Sequence, residues 1–355
     1  MPGSGLRQAL VAPLVWGLAV PIPLETRTMQ DTAERLLATL KEEYQGGQAL
    51  ARSFGVDWPE LWKQAQRLRQ QGYPVEIAVG RSKGLRWAPG TPTALALEAA
   101  LKGRLGRPYR YFGNVESTQD ELRRWAQKGE AEGALVVAER QKAGRGRRGK
   151  AWHSLPGQSL SFSLLLRPSL GAEALSLLPL AAGVALREAA GVGALKWPND
   201  LLAPDGRKLG GVLLEAKLRK GVASYALLGV GLNVHKAPPE AAAVADWLPA
   251  LERRKPTRPS KKPAPRPVPS RVIILSRFLK VFEVQYALLA KNPGAVLEAW
   301  REQNCTLGRE VRITTPSGTI SGTARDIAED GSLIVDTPQG PKRVSAGEVD
   351  LVGML

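Results

Sequence analysis

The sequence predicts an α+β protein built in three parts, and three observations carry that prediction. Apolar residues recur at helical spacing through residues 31–69, strand and helix patterns alternate from about 109 to 300, and short apolar runs separated by glycine turns fill 306–355. At 355 residues the chain is long enough for two or three cores.

Residues 1–28 contain "ALVAPLVWGLAVPIPL", whose length and preceding Arg7 suit a signal peptide but whose prolines and missing small-residue cleavage site do not. We read 1–28 as an extension ahead of the fold, with Met29 an alternative start. "DTAERLLATLKEE" then predicts a helix with Asp31 as N-cap, "GQALARSFG" a shorter one ended by Gly55, and "VDWPELWKQAQRLRQQG" a third. The third has Asp57 as N-cap, Pro59 in its first turn, Leu61, Ala65 and Leu68 on one face, and Lys63, Arg67 and Arg69 on the other. "YPVEIAVGRSKGLRWAPG" follows as two short strands. Three helices and a basic hairpin describe a winged helix-turn-helix over 29–90, with Lys63, Gln64, Arg67, Arg81, Lys83 and Arg86 as the set facing DNA. A small helical dimerisation module fits the same pattern.

A connecting helix is expected within 91–107, then the strand "YRYFGNVEST" and the helix "QDELRRWAQKG". "GALVVAER" (133–140) reads as a buried strand and "SLSFSLLLRP" (159–168) as an alternating one. A helix in "GAEALSLLPLAAGVALREAAG" precedes antiparallel strands through "ALKWPNDLLAPDGRKLGGVLLEAKL" and "ASYALLGVGLNVH", turning at Pro204-Asp205-Gly206 and Arg219-Lys220-Gly221. The resulting core, 91–305, has a mixed or antiparallel sheet. It is interrupted at 252–271 by "ERRKPTRPSKKPAPRPVPSR", where eight Lys/Arg, one Glu and many prolines predict an unpacked insertion. Two helices follow it, and the strands of 306–355 predict a small barrel.

The formal net charge of +17 points to an anionic partner, nucleic acid first and a phosphorylated ligand second. A lone cysteine, Cys305, excludes a disulfide framework and a cysteine-based metal site, and two histidines argue against a histidine-ligated metal. Both fit a reducing compartment. Part of the net charge is local to the 252–271 insertion; a second cationic run, "RQKAGRGRRGKAWHS" (140–154), is a glycine-rich loop between two core strands, where backbone N–H groups and arginine forks can cradle an anion. A solvated charge run is the plainer reading of the same composition.

Four clusters carry chemistry: Ser117-Thr118-Gln119, "QKAGRGRRGKAW" (141–152), "KWPND" (196–200) with "KLGGVLLE" (208–215), and "GVGLNV" (229–234). In this order, behind a winged helix, they resemble the biotin–protein ligases of the bifunctional ligase/repressor type over about residues 30–355, the insertion apart. The resemblance implies a class II synthetase-like central sheet, an SH3-like C-terminal barrel, and a reaction in two steps. Biotin and ATP, with Mg²⁺, give biotinyl-5′-AMP and pyrophosphate. A lysine of the biotin carboxyl carrier protein of acetyl-CoA carboxylase then attacks the mixed anhydride.

By motif match the resemblance places Arg145, Arg147 and Lys196 against the anions of the first step, where their charge offsets the repulsion between carboxylate and polyphosphate. The ligand contacts it implies fall on Ser117, Thr118, Gln119, Gln141, Gly144, Arg145, Gly146, Arg147 and Lys196, with Trp152 covering the ligand and Asn233 against the adenine. Lys208, Gly210 and Gly211 border the same pocket, and Arg148 and Lys150 order the loop. Gln119 replaces an asparagine common in relatives, and Lys142 is a second departure. Metal ligands are not specified by any motif. The resemblance further implies a cytoplasmic protein without a membrane segment, a homodimer when adenylate is bound, and an operator of biotin genes. Competing readings are a lipoate or octanoate ligase-transferase, a ligand-sensing repressor without catalysis, and a ligase whose winged helix, carrying Trp58 and Trp62, reads no DNA.

Overall fold

Leucines at helical spacing organise the N-terminal part of the chain. The computed structural model describes residues 24–80, 83–168, 175–219, 222–248 and 268–352. Helices α1 (Leu24–Thr39), α2 (Gly47–Phe54) and α3 (Trp58–Gln70) bury Leu36, Leu50, Phe54, Leu61, Ala65 and Leu68 together. Gly55 takes a left-handed φ of 70° to end α2, and Asp57 caps α3 by accepting the Glu60 N–H at 2.8 Å. Strands β2 (Val75–Ala78) and β3 (Gly84–Trp87) pair as expected, and a two-residue strand β1 (Gln45–Gly46) adds to β3 in the order β1-β3-β2. Two expectations change here. Because no glycine or proline interrupts residues 24–30, α1 starts at Leu24, so Asp31 lies inside the helix rather than at its N-cap position. The supposed extension 1–28 therefore overlaps α1, and residues 1–23 lie outside the described residues.

After a short helix α4 (Ala94–Ala100), strands β4 (Tyr109–Val115), β5 (Leu135–Gln141), β6 (Ser159–Leu166), β7 (Ala194–Lys196), β8 (Asp200–Leu202), β9 (Lys208–Arg219) and β10 (Val222–Asn233) form one sheet. Its order is β4-β5-β6-β10-β9-β8-β7, with β4 and β5 parallel and every other pair antiparallel. Helices α6 (Leu178–Ala190), α7 (Arg271–Lys291) and α8 (Pro293–Gln303) pack in the main core, where Phe162 of β6 meets Phe278 of α7 edge-on with centroids 5.0 Å apart. Helix α5 (Thr118–Gln127) belongs to a separate cluster with Leu122, Val136, Leu165 and Leu227.

The alternation in "SLSFSLLL" does not separate core from solvent, since all eight residues of β6 are buried. Leu160, Phe162, Leu164 and Leu166 join the helical core, while the serines between them take the opposite side of a strand covered on both faces.

The C-terminal part is a five-stranded antiparallel sheet of β11 (Glu310–Thr315), β12 (Gly318–Ile327), β13 (Leu333–Thr337), β14 (Gly340–Val344) and β15 (Glu348–Leu351), ordered β14-β13-β12-β11-β15. Its Val311, Ile313, Leu333, Val335 and Val349 belong to the same apolar cluster as the central helices. Trp197, between β7 and β8, is buried and donates its Nε1–H to the Gly331 carbonyl at 2.9 Å, tying the two sheets together.

The N-terminal part is seated on the edge strand β4. Tyr73 and Trp87 meet Tyr111 of β4 edge-on, with centroids 5.6 and 6.1 Å away. At Gly113 a Cβ would stand 2.3 Å from the Gln71 carbonyl oxygen, so only glycine lets the end of α3 lie this close to the sheet.

The Pro-rich insertion is corrected at its C-terminal end. Residues 252–267 lie outside the described residues, but Ser270 caps α7 and Arg271 opens it, its side chain 3 % exposed. The Arg271 guanidinium holds both carboxylate oxygens of the fully buried Glu139, at 2.7 and 2.8 Å. Glu139 also accepts from the Tyr111 hydroxyl and from the Gly157 N–H at 2.6 Å. Composition alone concealed this arginine, because its neighbours in sequence are prolines and other cations. Breaking a buried pair by removing one partner costs about 3–5 kcal/mol. Arg271→Ala is therefore expected to lower unfolding free energy by roughly that amount in urea denaturation, and a loss below 1 kcal/mol would show the pair to be dispensable.

Candidate active site

Strand β10 sets the floor of the site. Along it Gly229, Gly231 and Asn233 alternate with Leu228, Val230 and Leu232, which belong to the apolar core. The two glycines leave space that other side chains take up. A Cβ on Gly229 would lie 2.7 Å from Nε2 of Gln119, and one on Gly231 would lie 2.3 Å from the Trp152 ring. The indole of Trp152 is held there by donating its Nε1–H to Ser161 Oγ of β6 at 3.1 Å.

Around this floor lies a cavity of about 470 Å³ lined by all four sequence clusters. Ser117, Thr118 and Gln119 open α5 and are buried. Gln141 accepts from the Thr118 N–H at 2.8 Å and from its hydroxyl at 3.0 Å, while that hydroxyl also lies 2.8 Å from Ser163 Oγ. Gln119 Nε2 donates to the carbonyls of Leu213 and Leu227 at 3.0 and 3.3 Å, leaving its buried Oε1 without a protein partner. Asn233 repeats the pattern, with Nδ2 donating to Ala242 O at 3.3 Å and a buried, unpartnered Oδ1. Two amide oxygens wait for donors that the protein does not supply.

The cations divide by partner. Arg145 forms two 2.7 Å bonds to the Asp120 carboxylate, Lys150 pairs with Glu348, and Lys208 lies 2.6 Å from Asp200. Arg147 instead donates to Asn199 Oδ1 at 3.0 Å and to Gly347 O at 3.4 Å. Arg148, the one non-glycine with positive φ among the described residues, donates to Thr314 O at 2.7 Å. Lys196 Nζ donates to Val349 O at 3.0 Å, with Asp200 farther off at 3.6 Å. Burial pushes the Arg147 guanidinium below its ordinary value, yet a guanidinium remains charged at neutral pH. Arg145, with help from Arg123, draws the Asp120 carboxyl below the usual carboxylate range against the opposing effect of burial. The stability this contributes is complete above an unfolded carboxylate value of about 4 and disappears as pH falls through the depressed folded value.

The cavity brings together Ser117, Thr118, Gln119, Gln141, Arg145, Gly146, Arg147, Trp152, Lys196, Lys208, Gly211 and Asn233, together with Arg148 and Lys150. Gly144 and Gly210 are not on its lining. They allow backbone contact instead, a Cβ meeting Trp152 O at 2.5 Å and Gly231 O at 2.5 Å respectively. Arg145 is faced by Asp120 and Glu215, so its charge is paired within the protein. Lys142, the second departure from the family pattern, pairs with Glu116 at 3.2 Å. Sequence reading passed over Asn199 and Asp200 inside "KWPND", Ser163 inside an apparently apolar strand, and the lining residues Gly347, Glu348 and Val349. The serine spacing of β6 was the signal available for Ser163; backbone acceptors leave none. Cys305 is half-buried beside Leu195 O, and burial pushes its thiol up, away from thiolate reactivity.

On the N-terminal part, Lys63 and Lys83 are exposed, whereas Gln64 is 1 % exposed and bonded to Glu60 at 2.6 Å, so it faces the core rather than a partner. Helical spacing places it between Leu61 and Ala65 on the buried stripe. Arg86 is paired with Glu76 at 2.6 Å and lies over the Tyr44 ring, which weakens its expected role. Arg81 lies outside the described residues. Trp58 packs on Gly47, leaving Trp62, 39 % exposed, as the outward tryptophan of α3.

Fold and site together define a ligand-binding cleft with amide acceptors on its floor and paired and unpaired cations around it. Residues 111–233 match the biotin/lipoate A/B protein ligase family and 306–352 the biotin protein ligase C-terminal domain. The chain is 30 % identical over 333 residues to the bifunctional ligase/repressor BirA of Bacillus subtilis, covering 91 % of this chain and 99 % of that protein. It is 34 % identical over 246 residues to the biotin–[acetyl-CoA-carboxylase] ligase of Mycobacterium tuberculosis, covering 65 % and 83 %. Among solved structures, the biotin protein ligase from Aquifex aeolicus in complex with biotin and ATP superposes with a TM-score of 0.53 at 27 % identity, over 69 % of this chain and 98 % of that one. The chain belongs to the biotin/lipoate A/B protein ligase family.

Gly231→Ala is expected to drive the Trp152 indole off β10, because a methyl at 2.3 Å cannot coexist with the ring. The near-ultraviolet circular dichroism attributable to Trp152, defined by the Trp152→Phe difference spectrum, should then be largely lost. An unchanged band would contradict the packing.

Proposed function

We propose that the protein is a biotin–protein ligase that makes biotinyl-5′-AMP from biotin and ATP and transfers the biotinyl group to a lysine of a biotin carboxyl carrier domain. The observation that carries this reading is the cavity where buried amide acceptors meet Arg147, a guanidinium hydrogen-bonded to neutral oxygens alone. A biotin carboxylate oxygen attacks the α-phosphorus, the bond to the bridging oxygen breaks, and pyrophosphate leaves with the electron pair. Arg147 and Lys196 reduce the repulsion between the two anions, and no enzyme nucleophile is required. The acceptor amine, once deprotonated, then attacks the acyl carbon and AMP departs. Ser117, Thr118, Gln119 and Gln141 suit a polar ring buried with its N–H groups toward amide oxygens. Asn233 Oδ1 suits an exocyclic amino group of adenine.

Magnesium belongs to this reading as part of the Mg-ATP substrate. Among the described residues no group of three or more His, Cys, Asp or Glu is placed to hold a metal. Asp200 is engaged with Lys208 and Lys196. No helix among the described residues is long and apolar enough to cross a membrane.

The names of the relatives support ligation, and the biotin and ATP in the Aquifex structure support the substrates. Incubating the protein with labelled biotin, Mg-ATP and a carrier domain should place label on the carrier. Label transferred from lipoate or octanoate in preference to biotin would favour the competing ligase. In the same assay Arg147→Ala should lower adenylate yield about ten- to a hundred-fold, the effect of removing a charge-assisted bond to an anion.

A second role as repressor is favoured by three helices and a three-stranded sheet resembling a winged helix-turn-helix, and by the ligase/repressor name of the Bacillus relative. In this reading 29–90 is the DNA-binding domain, 91–305 the catalytic domain and 306–355 an SH3-like domain, and adenylate promotes a homodimer on a palindromic operator. Lys63, Arg67 and Lys83 would hold phosphates, with Trp62 beside the bases. Lys63→Ala and Lys83→Ala should each weaken binding to any DNA and flatten the log–log salt slope by about one. Equal affinity for a biotin-gene operator and scrambled DNA, unchanged by adenylate, would remove the repressor and leave the ligase.

A further inference from the structure

The buried ion pair of Glu139 and Arg271 does not line the cavity, yet its hydrogen bonds converge on the turn that leads into β6. Glu139 Oε2 accepts the Gly157 N–H at 2.6 Å, and Arg271 Nη1 donates to Ser159 O at 3.3 Å as well as to the carboxylate. Between these two contacts, the Gln158 carbonyl accepts the N–H groups of Val234 and His235 at 3.0 and 2.9 Å. Val234 and His235 directly follow Asn233, the last residue of β10, which stands opposite Ser159 in the β6–β10 register. Gly157, Gln158 and Ser159 therefore join the ion pair on one side to the end of β10 on the other. Among the described residues the Asn233 side chain has a single partner, Ala242 O at 3.3 Å, so the aim of its buried Oδ1 is set mainly by its backbone.

We infer that Glu139 and Arg271 are positioning residues for the nucleotide half of the site: by fixing the turn Gly157–Ser159 they fix the backbone at Asn233, and with it the acceptor that meets the exocyclic amino group of adenine. This rests on the ligase reading and adds to it two residues that touch no substrate. Charged hydrogen bonds fix direction as well as distance, and burial makes each of them expensive to leave unmade. The apolar contacts of Leu228, Val230 and Leu232 hold β10 in the core but do not aim an amide at its end. The biotin half is held by other partners. Gln119 is fixed by the carbonyls of Leu213 and Leu227, and Gln141 by Thr118, and none of these bonds involves the ion pair. Loosening the pair should therefore act on ATP and spare biotin. It should also weaken the choice of base, because guanine presents a carbonyl oxygen where adenine presents its amino group, and only a firmly aimed Oδ1 repels it.

The test measures adenylate formation from labelled biotin with Mg-ATP or Mg-GTP, at a temperature well below unfolding, in wild type, Arg271→Gln, Arg271→Lys, Asn233→Ala, the Arg271→Gln/Asn233→Ala double variant and Tyr111→Phe. Wild type reports on the ligase reading by itself, since failure to form adenylate sinks that reading before any variant is compared. Given an active wild type, Arg271→Gln should raise KM for ATP about five- to ten-fold, the size of a lost charge-assisted bond. KM for biotin should move less than about two-fold, the scatter expected of an uncoupled site. The preference for ATP over GTP should fall with the rise in KM for ATP. Arg271→Lys keeps a charged bond to Glu139 and should lie between Arg271→Gln and wild type. In the double variant KM for ATP should be no higher than in Asn233→Ala alone, because both substitutions act on the same contact. Equal rises in the two KM values, a lowered kcat with both KM values unchanged, an unchanged preference for ATP over GTP, or additive effects in the double variant would each overturn the inference. If the Arg271 variants fail to fold, Tyr111→Phe removes one donor from Glu139 and leaves the ion pair in place. It should raise KM for ATP alone, by about three-fold, the effect of one neutral hydrogen bond; an unchanged KM for ATP there would overturn the inference as well.

Discussion

A central strand with glycine at two successive positions of one face is the constraint on which the site depends. β10 is hydrogen-bonded on both sides, to β6 and β9, so it cannot bend away to make room. Room comes from Gly229 and Gly231, and each vacated position is filled by a residue from elsewhere in the chain, Gln119 from α5 and Trp152 from the far end of the arginine loop. Glycine inside a strand weakens the strand itself. Here the loss is offset by packing on the opposite face, where Leu228, Val230 and Leu232 are held in the core. The strand is thus rigid from below and accommodating from above.

Charge is arranged by a similar division. Arg145, Lys150 and Lys208 each meet a carboxylate, whereas Arg147 and Arg148 are oriented by neutral oxygens. A carboxylate cancels the field of its partner while fixing it, and a carbonyl fixes its partner while leaving most of the field intact. Three of the oxygens that lie against the cations come from Thr314, Gly347 and Val349 of the C-terminal sheet. That sheet completes the cavity while sharing the apolar core of the central helices, which explains why its placement is determinate.

Much of this was legible in the sequence. Periodicity gave the helices, the hairpin of β2 and β3, and the antiparallel run from β8 to β10, and the motifs gave most of the cavity lining. Residues escaped where their roles depend on contacts remote in sequence or on backbone atoms. Asp120 and Glu215 look like ordinary surface acids of a helix and a strand until the fold sets them on Arg145. Arg271 looked like the end of a cationic, Pro-rich stretch until burial set it on Glu139. Gly144 and Gly210 stand in the motifs as a ligand contact and a pocket border respectively, and in the fold their small size serves packing within the protein. Gln64 carried a polar side chain on a buried stripe, and a neighbour one helical turn back satisfies it.

Gly113 has a geometric consequence for any pair of these chains. Helix α3 ends against β4 with backbone contact, and Tyr73, Trp87 and Tyr111 interlock around the junction. The helix is therefore carried by the sheet as a bracket is carried by a wall, with no slack tether between them. If two such sheets met, as the repressor reading requires, the separation and tilt of their two α3 helices would be fixed by the angle between the sheets. A ruler of this kind could not stretch to suit differently spaced targets, so in that reading spacing would be a property of the subunit contact and composition a property of the helix.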